Sequence, residues 1–267
     1  MILIWSTITA SLLLLFVAAR VGSRVSGQHG GPINPSAKAA QSQTRLRIAT
    51  LNIQYGRGQD QCLDLPRTAS AINNCDFVAL QEVAGAKRYN QPNQAAALGE
   101  TLDMQWLYAP TKTRWFRPFA GNAVLTSVPI RRWFWRPLVH VRGRGFRNMV
   151  VCELMLAGKK ITVINTHLHT KMGREEQMQQ VFREFAKYRR AILLGDFNTP
   201  PQDPLLQDLI RKSAGHDPFI DVPGSARSNN RVDWIILKGV TATEVAVREP
   251  GASDHPVLRV TVTLQSN

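Results

Sequence analysis

Residues 191–198 read AILLGDFN, an apolar run that stops at a glycine, a carboxylate and an amide. Four consecutive apolar residues predict a buried strand, and Gly195 predicts that the strand ends there. Asp196 and Asn198 then lie at a strand end, which is where α/β proteins build their sites. A single Asp or Asn in this position is more often a turn or a helix cap. The segment therefore indicates a functional site only if the same pattern recurs elsewhere in the chain.

The pattern does recur: six further apolar runs adjoin Asp, Asn, Glu or His. The polar residues at these places are Asn52, Glu82, Asn122, His167, Asp233 and the triplet Ser253-Asp254-His255. Seven such places in one chain predict a common site at the strand ends. Carboxylate and amide oxygens with imidazole neighbours suit Mg²⁺ or Mn²⁺ better than zinc, which favours Cys and more His.

Strands outnumber helices in the periodicity of the chain after Arg45. Strands are predicted at 46–51, 76–80, 121–126, 128–141, 149–156, 160–166, 191–194, 232–237 and 257–262, and helices at 66–73, 93–102 and 173–188. No linker interrupts this part, so we expect one α/β domain. Mixed sheets packed face to face, with helices outside, fit this order better than an alternating parallel fold.

The composition is that of a folded, basic protein. Hydrophobic residues make up 44% and charged residues 19%, which excludes a disordered chain, a collagen-like repeat and a disulfide-rich miniprotein. Lys and Arg number 33 against 19 Asp and Glu, a net charge of +14. This excess favours polyanionic partners such as nucleic acid or acidic lipid.

The positive charge is concentrated in residues 111–149, which contain no acidic residue. The basic residues of this basic stretch are Lys112, Arg114, Arg117, Arg131, Arg132, Arg136, Arg142, Arg144 and Arg147. Its aromatic residues are Trp115, Phe116, Phe119, Trp133, Phe134, Trp135 and Phe146. Arg interleaved with aromatic residues is typical of surfaces that bind nucleic acid or a membrane interface. Strand alternation, with aromatics facing the core and arginines facing water, gives the same pattern.

The first 19 residues carry no charged side chain and end in an apolar run. Val17-Ala18-Ala19 resembles a signal-peptide cleavage site, whereas Arg20 and Arg24 favour an uncleaved anchor with the bulk of the chain inside. Residues 20–44 are rich in Gly, Ser, Pro and Gln and predict a flexible linker. We therefore expect a membrane-anchored or exported protein, with the side of the membrane left open.

Three cysteines predict no disulfide framework. Cys62 and Cys75 could pair if the domain is exported. Cys152 lies in an apolar run and is predicted to be a buried small side chain.

Taken in order, the strand-end motifs resemble the endonuclease/exonuclease/phosphatase superfamily. The matching segments are TLNI at 50–53, QEV at 81–83, GNAVL at 121–125, NTHL at 165–168, GDFN at 195–198, RVDWI at 231–235 and SDH at 253–255. The resemblance covers residues 45–264. It implies a four-layered α/β sandwich with two central mixed, mainly antiparallel sheets, and it makes residues 45–267 a catalytic domain for metal-dependent cleavage of phosphate esters.

The resemblance also implies roles for individual residues around the metal. Glu82 would be the main ligand of Mg²⁺ (or Mn²⁺), with Asn52 and Asp254 nearby. His255 would activate the attacking water as a general base. Asp233 would accept a hydrogen bond from the other ring nitrogen of His255 and so fix its tautomer.

The remaining roles concern the phosphate. Asp196 and Asn198 would position the water and the phosphate, and a protonated His167 would neutralise charge in the transition state. Asn122 and Arg147 would hold the phosphate. The Thr-His-Leu sequence around His167 resembles the deoxyribonuclease, sphingomyelinase and phosphatase side of the superfamily more than the AP endonucleases.

These observations predict a metal-dependent phosphodiesterase, expected as a monomer. Nucleic acid is slightly preferred as substrate over a phospholipid or sphingomyelin headgroup, because the basic stretch suits either polyanion. A phosphomonoesterase comes third. The alternative from a different class, a catalytically dead module that binds polyanions or membranes, is disfavoured because every proposed metal and base residue is present.

Overall fold

The computed structural model of the protein describes residues 28–30, 43–85, 92–114, 117–140, 145–220, 222, 230–248 and 250–264. Residues 1–19, the predicted signal peptide or anchor, lie outside this part of the chain. Within it, no helix combines the length and the apolar character that a membrane span requires.

The described residues contain twelve strands and four α-helices. The strands are β1 (Gln28–Gly30), β2 (Arg45–Asn52), β3 (Phe77–Ala84), β4 (Gln105–Arg114), β5 (Arg117–Thr126), β6 (Arg132–Pro137), β7 (Asn148–Leu156), β8 (Lys159–His167), β9 (Ala191–Asp196), β10 (Asp233–Lys238), β11 (Val240–Arg248) and β12 (Val257–Leu264). The helices are α1 (Leu65–Ile72), α2 (Gln94–Leu102), α3 (Arg174–Ala186) and α4 (Pro204–Lys212).

The strands form two sheets. The first has the order β1-β4-β5-β3-β2-β12-β11 and the second the order β10-β9-β8-β7-β6. One pair in each sheet is parallel, β2 with β3 and β8 with β9, and the other pairs are antiparallel. The prediction of two mixed, mainly antiparallel sheets is confirmed.

Three apolar clusters hold four layers together. The first lies between the sheets and includes Ile48 of β2 and Ile192 of β9. The second joins the outer face of the first sheet to α1 and α2, with Leu98 buried in it. The third joins the outer face of the second sheet to α3 and α4. Helix α3 contributes one apolar face at helical spacing, formed by Met178, Val181, Phe182 and Phe185. The predicted four-layered α/β sandwich is therefore confirmed.

Some elements differ from the sequence prediction. Strands β4 and β11 and helix α4 were not predicted. The strand predicted over 128–141 is shorter, because β6 runs only from Arg132 to Pro137. Proline has no backbone N–H, so Pro137 donates no hydrogen bond to β7 at the end of β6.

Part of the predicted linker is not coil. Residues 28–30 form β1, which pairs antiparallel with β4 and places Gln28 opposite Tyr108. The outer edge of β4 offers backbone donors and acceptors that a short non-proline segment can pair with, whatever its side chains. This corrects the linker prediction for these three residues. Residues 31–42 lie outside the described part.

All three cysteines are free thiols. Cys62 is exposed and Cys75 is buried, so the possible disulfide between them is not formed. Cys152 is fully buried, as predicted. Burial raises the pKa of the Cys75 and Cys152 thiols, which keeps both protonated and unreactive.

Candidate active site

The sheet registers bring the predicted polar residues to one edge of the sandwich. In the second sheet, His167 lies opposite Asp196, and Asp196 lies opposite Asp233. In the first sheet, Asn52 lies opposite Gln81 at the ends of two parallel strands. Because parallel strands end at the same edge, these side chains converge as the sequence predicts.

Gly195 makes the close contact between β8 and β9 possible. Its φ is +131°, and a Cβ at this position would lie 2.0 Å from the carbonyl oxygen of Thr166. Only glycine fits such an approach. Strand β9 therefore continues through Gly195 to Asp196 rather than ending at the glycine, and this places Asp196 directly beside His167.

His255 and Asp233 form a hydrogen-bonded pair. Nδ1 of His255 lies 2.7 Å from Oδ2 of Asp233, and its Nε2 lies 4.0 Å from Oδ2 of Asp196. Burial lowers the pKa of His255, but the hydrogen bond and charge of Asp233, with Asp196 and Asp254, outweigh it and raise the pKa to about 9. The pair thus fixes the ring and directs Nε2 toward Asp196.

Asp196 is the buried centre of this arrangement. It accepts hydrogen bonds from Nδ2 of Asn52 (3.1 Å) and from the backbone N–H of Asn198 (2.9 Å). Nε2 of His167 lies 3.3 Å from its Oδ2. Burial and the nearby charge of Asp233 raise the pKa of Asp196, although the two hydrogen bonds oppose the shift.

His167 faces Asp196 at the buried end of β8. Its side chain is buried, and burial together with the charges of Arg147, His255 and His169 lowers its pKa well below the ordinary value. The side-chain nitrogen of Asn198 lies 3.2 Å from Nε2 of His167, the same nitrogen that faces Asp196. The protonated state expected of His167 stays a prediction.

Arg147 lies at the same site. Burial lowers the pKa of its guanidinium, while Asp196, Glu82 and Tyr55 raise it, so these three groups surround the charge. Its Nε is buried without a hydrogen-bond partner in the described part of the chain. A half-buried guanidinium with an unused donor suits an anionic oxygen, as the phosphate role predicted for Arg147 requires.

Glu82 occupies an irregular position in β3. The strand register shifts between Leu80 and Val83, and Glu82 has a left-handed φ of 52°. Such a bulge redirects a side chain away from strand alternation and often occurs beside a site. The Glu82 side chain is half-buried, and no hydrogen bond or ion pair joins its carboxylate to another described residue.

The oxygen atoms of the predicted ligand set suit a hard cation. Oδ1 of Asn52 accepts from the Gln54 backbone N–H at 3.1 Å, and the exposed Asp254 accepts from the Ser253 hydroxyl at 3.1 Å. Both keep oxygen lone pairs available, and the Glu82 carboxylate is uncommitted. Carboxylate and amide oxygens of this kind suit Mg²⁺ or Mn²⁺. The predicted ligand set therefore fits the chemistry of such an ion.

A second group of possible ligands is more compact. One ligand atom each of Asp196, Asp233 and His255 lies within 4.8 Å of the others. The sequence assigned catalysis rather than metal binding to these residues. Asp233 holds Nδ1 of His255 at hydrogen-bond distance, which favours the catalytic assignment, although its Oδ1 is buried without a hydrogen-bond partner among described residues. Neither Glu82 nor Asp254 belongs to this cluster.

Asn122 is used inside the protein. It is buried, and its Nδ2 donates to Oδ1 (2.9 Å) and to the backbone oxygen (3.2 Å) of Asn148. Asn148 in turn donates to the backbone oxygens of Ala109 and Pro110. These bonds join the two sheets below the site. The phosphate contact of Asn122 stays a prediction.

A parallel connection involves two residues that the sequence analysis gave no role. Nε2 of Gln81 donates to Oδ1 of Asn165 at 2.8 Å, and Asn165 donates to the backbone oxygens of Leu80 and Ala123. Both residues are buried between the sheets. A buried amide is stabilising only when its bonds are satisfied, as they are here. An amide inside an apolar strand was the signal that could have identified them.

The first turns of α3 hold the loops around the site. Nη1 of Arg174 donates to the backbone oxygen of Asn198. The buried Gln177 accepts from the backbone N–H of His169 at 3.0 Å and donates to the backbone oxygen of Val139 at 2.9 Å. One helix thus fixes the loops that follow β6, β8 and β9.

The basic stretch is only partly an exposed surface. On β6, Trp133 and Trp135 pack against the core between the sheets, and Arg132 and Arg136 lie over the ring of Phe134 at 5.4 and 5.1 Å. The exposed arginines of this strand region are Arg131, Arg132 and Arg136. Strand alternation explains the aromatic residues of β6. Arg142 and Arg144 lie outside the described residues.

Solved structures of similar fold include an endonuclease/exonuclease/phosphatase from Beutenbergia cavernae, with 21% identity, a TM-score of 0.69, and coverage of 84% of this chain and 72% of that one. The human Nocturnin catalytic domain with bound sulfate has 16% identity, a TM-score of 0.65 and coverage of 84% and 96%. A mannosyl-6-phosphatase from Bacteroides thetaiotaomicron has 16% identity, a TM-score of 0.62 and coverage of 83% and 100%. These structural similarities show that the chain shares the fold of these proteins.

No curated protein matches the chain by sequence. The sequence profile of the Endonuclease/Exonuclease/phosphatase family, in contrast, matches residues 49–255. This range contains all ten residues that the sequence analysis assigned to the site. The chain therefore belongs to the Endonuclease/Exonuclease/phosphatase family, a family of phosphate-ester hydrolases.

Proposed function

We propose that the protein is a phosphodiesterase that uses Mg²⁺ (or Mn²⁺) and hydrolyses nucleic acid. The observation that carries the proposal is the 2.7 Å pair of His255 and Asp233, which directs Nε2 of His255 toward Asp196. An imidazole held by a buried carboxylate is the arrangement that general-base hydrolysis requires.

In the proposed reaction, His255 takes a proton from the attacking water at Nε2. Asp233 keeps the proton on Nδ1 and stabilises the imidazolium that forms. Asp196 orients the water, and its own position is fixed by the hydrogen bonds from Asn52 and Asn198.

Phosphate binding falls to Arg147 and His167. The half-buried guanidinium of Arg147 supplies charge to the non-bridging oxygens. His167 would donate a hydrogen bond to the same oxygens. Burial and the charge of Arg147 lower the pKa of His167, so Arg147 would carry more of the positive charge than the family resemblance implied.

Glu82, Asn52 and Asp254 would hold the metal ion. When bound, the ion supplies positive charge that stabilises the phosphate and leaving oxygens and lowers the pKa of neighbouring acids. The support for this ligand set is the uncommitted Glu82 carboxylate at the bulge of β3.

Nucleic acid is the preferred substrate because the charge of the protein favours a polyanion. The net charge is +14, and Arg131, Arg132 and Arg136 are exposed. A specific observation supports a phospholipid as the second candidate: Val139 and Met172, on loops fixed by α3, are 45% and 65% exposed. Apolar side chains of this kind insert at membrane interfaces.

The test is turnover by the full 267-residue chain. Oligonucleotides of DNA and RNA, choline and anionic phospholipids, a generic phosphodiester and a phosphomonoester are each offered with Mg²⁺, Mn²⁺ or a chelator. We expect hydrolysis of nucleic acid that needs the metal and falls in Glu82→Gln by roughly 10²-fold or more. Glu100→Gln, an exposed glutamate of α2, is the matched control and retains activity.

The other results would overturn the proposal in distinguishable ways. Hydrolysis of phospholipid without nucleic acid would assign the lipid function. Hydrolysis of the monoester alone would assign a phosphomonoesterase. A folded protein that binds metal and hydrolyses none of these substrates would be the catalytically dead binding module.

A further inference from the structure

A cavity of about 290 Å³ has His255 in its wall. Its walls include Arg67 and Ser70 of α1, Arg248 at the end of β11, and His255. This volume is at the lower end of the range for small-molecule sites and suits one nucleotide-sized group. The cavity shares His255 with the site described above but uses none of the other residues assigned to it.

The two arginines of the cavity differ in how they are paired. Arg67 donates to both carboxylate oxygens of Asp60, at 2.7 and 2.9 Å, and its Nε lies 3.8 Å from Asp64. Its charge is therefore offset. Arg248 donates from Nη1 to the backbone oxygen of Ser70 at 2.8 Å, and no described carboxylate forms an ion pair with it.

No described residue in the rest of the cavity wall neutralises the charge of Arg248. The other lining residues are small or apolar, and no carboxylate of the described residues lines the cavity. A guanidinium has five N–H donors in a planar fork that matches phosphate oxygens, and the Ser70 bond uses one side of the group only. The cavity therefore offers an anion the donors and the charge that a phosphate group prefers.

We infer that this cavity is a second phosphate subsite, in which Arg248 binds the phosphate adjacent to the scissile one in a polynucleotide. The inference rests on the proposed function, because only a substrate with repeated phosphates fills both places. His255 forms one wall of the cavity and also acts at the scissile phosphate, so the two places are neighbours along one substrate strand.

The subsite also discriminates between substrates. A second phosphate is attracted by the Arg248 guanidinium, whereas the cationic headgroup of a choline lipid is repelled by it. A simple phosphodiester with no second charge gains nothing from the cavity. Arg248 is thus a specificity residue that acts through binding of the second phosphate.

The experiment compares the binding of two ligands to the full chain with Mg²⁺ present. One is a nucleoside 3′,5′-bisphosphate and the other is the 5′-monophosphate of the same nucleoside. Neither contains a phosphodiester bond, so calorimetry reports binding alone. We expect Arg248→Gln to weaken the bisphosphate by roughly 10-fold to 100-fold, the effect of removing one charge-assisted hydrogen bond, and to leave the monophosphate unchanged.

Two further variants serve as a charge-matched control and as a second change to the cavity wall. Arg183→Gln removes the same charge from an exposed position on α3 and is expected to change neither ligand. Ser70→Glu, at an exposed helical position, places a carboxylate on the cavity wall and is expected to weaken the bisphosphate as Arg248→Gln does.

The inference is overturned if Arg248→Gln and Arg183→Gln have equal effects, if Arg248→Gln weakens both ligands alike, or if the wild type shows no preference for the bisphosphate. A failure of the proposed function is a different result, namely no metal-dependent turnover of nucleic acid by the wild type. The binding preference is measured independently of that turnover.

Discussion

At the scale of single residues, the proposed reaction depends on the hydrogen bond between Asp233 and His255. Asp233→Asn removes the charge that stabilises the imidazolium and permits the wrong tautomer of His255. We expect kcat to fall by roughly 10²-fold to 10⁴-fold, with little change in KM. The pH dependence of kcat/KM is the deciding measurement, because it reports the pKa of His255 directly.

A purely structural role for Asp233 predicts a different outcome. In that case Asp233→Asn would lower the melting temperature and leave the pH profile of the remaining activity in place. A profile identical to that of the wild type would return Asp233 to a structural role.

The protonation of His255 is also coupled to folding stability. Its pKa rises from 6.5 to about 9 in the folded, metal-free protein, because the carboxylates of Asp233, Asp196 and Asp254 outweigh burial. A pKa raised on folding contributes stability that is fully present below about pH 6.5 and is lost as the pH rises through about 9. The contribution is on the order of 3 kcal/mol.

The measurement is the free energy of unfolding in urea, with chelator, between pH 6 and 10. The wild type is expected to lose stability relative to His255→Gln across this range. A difference between the two proteins that does not vary with pH would show that His255 is not charged in the folded state.

The identity of the site residues was easier to predict from the sequence than their pKa values. The sequence named His255, Asp233, Asp196 and Asn198, and the structure brings all four together. The lowered pKa of His167 could not be predicted, because it depends on burial and on charges from other elements. A motif specifies a side chain and not its electrostatic surroundings.

At the scale of elements, β6 decides how the basic stretch is to be interpreted. Arg131, Arg132 and Arg136 are exposed, yet Arg136 also lies 3.5 Å from Glu184 of α3. Replacing all three by Gln is expected to weaken binding to single-stranded DNA and to reduce the slope of log K against log salt. The slope changes by about 0.7 for each phosphate that the protein no longer neutralises.

The control for this triple variant is a substitution that removes equal charge elsewhere. The control variant replaces three other exposed arginines by Gln, namely Arg183, Arg189 and Arg211. An equal change of slope in both proteins would make β6 an ordinary solvated strand whose arginines act only through net charge.

Of two helices with a clear local signal in the sequence, one was predicted and the other was missed. Helix α3 carries a clear apolar face and was predicted. Helix α4 was missed although Asp203 caps it, accepting from the Leu206 N–H at 3.0 Å, and Pro204 begins it. Strand β11 has a register shift between Ala242 and Glu244, which interrupts its two-residue alternation in the sequence.

At the scale of the whole molecule, the site exists because two sheets end at the same edge. Asn122 with Asn148, and Gln81 with Asn165, hold the sheets together directly below it. The resemblance predicted the layers correctly. It could not give the strand order, because pairing between distant strands is decided by packing rather than by local sequence.

The structure also narrows the interpretation of the net charge. The net charge of +14 was compatible with nucleic acid, with a membrane or with solubility alone. The structure places Arg147 at the site and Arg248 at the adjacent cavity, whereas the aromatic residues of β6 belong partly to the core. We propose attachment or export through residues 1–19 as a separate feature of the chain.

The most direct test of the central claim is the turnover of an oligonucleotide by the full chain with Mg²⁺, compared between the wild type and His255→Gln. We predict turnover that is abolished by chelator and reduced by roughly 10²-fold to 10⁴-fold in the variant. His216→Gln, an exposed histidine remote from the site, should keep the wild-type rate. A folded His255→Gln protein that turns over the oligonucleotide at the wild-type rate would contradict the assignment of His255 as the base.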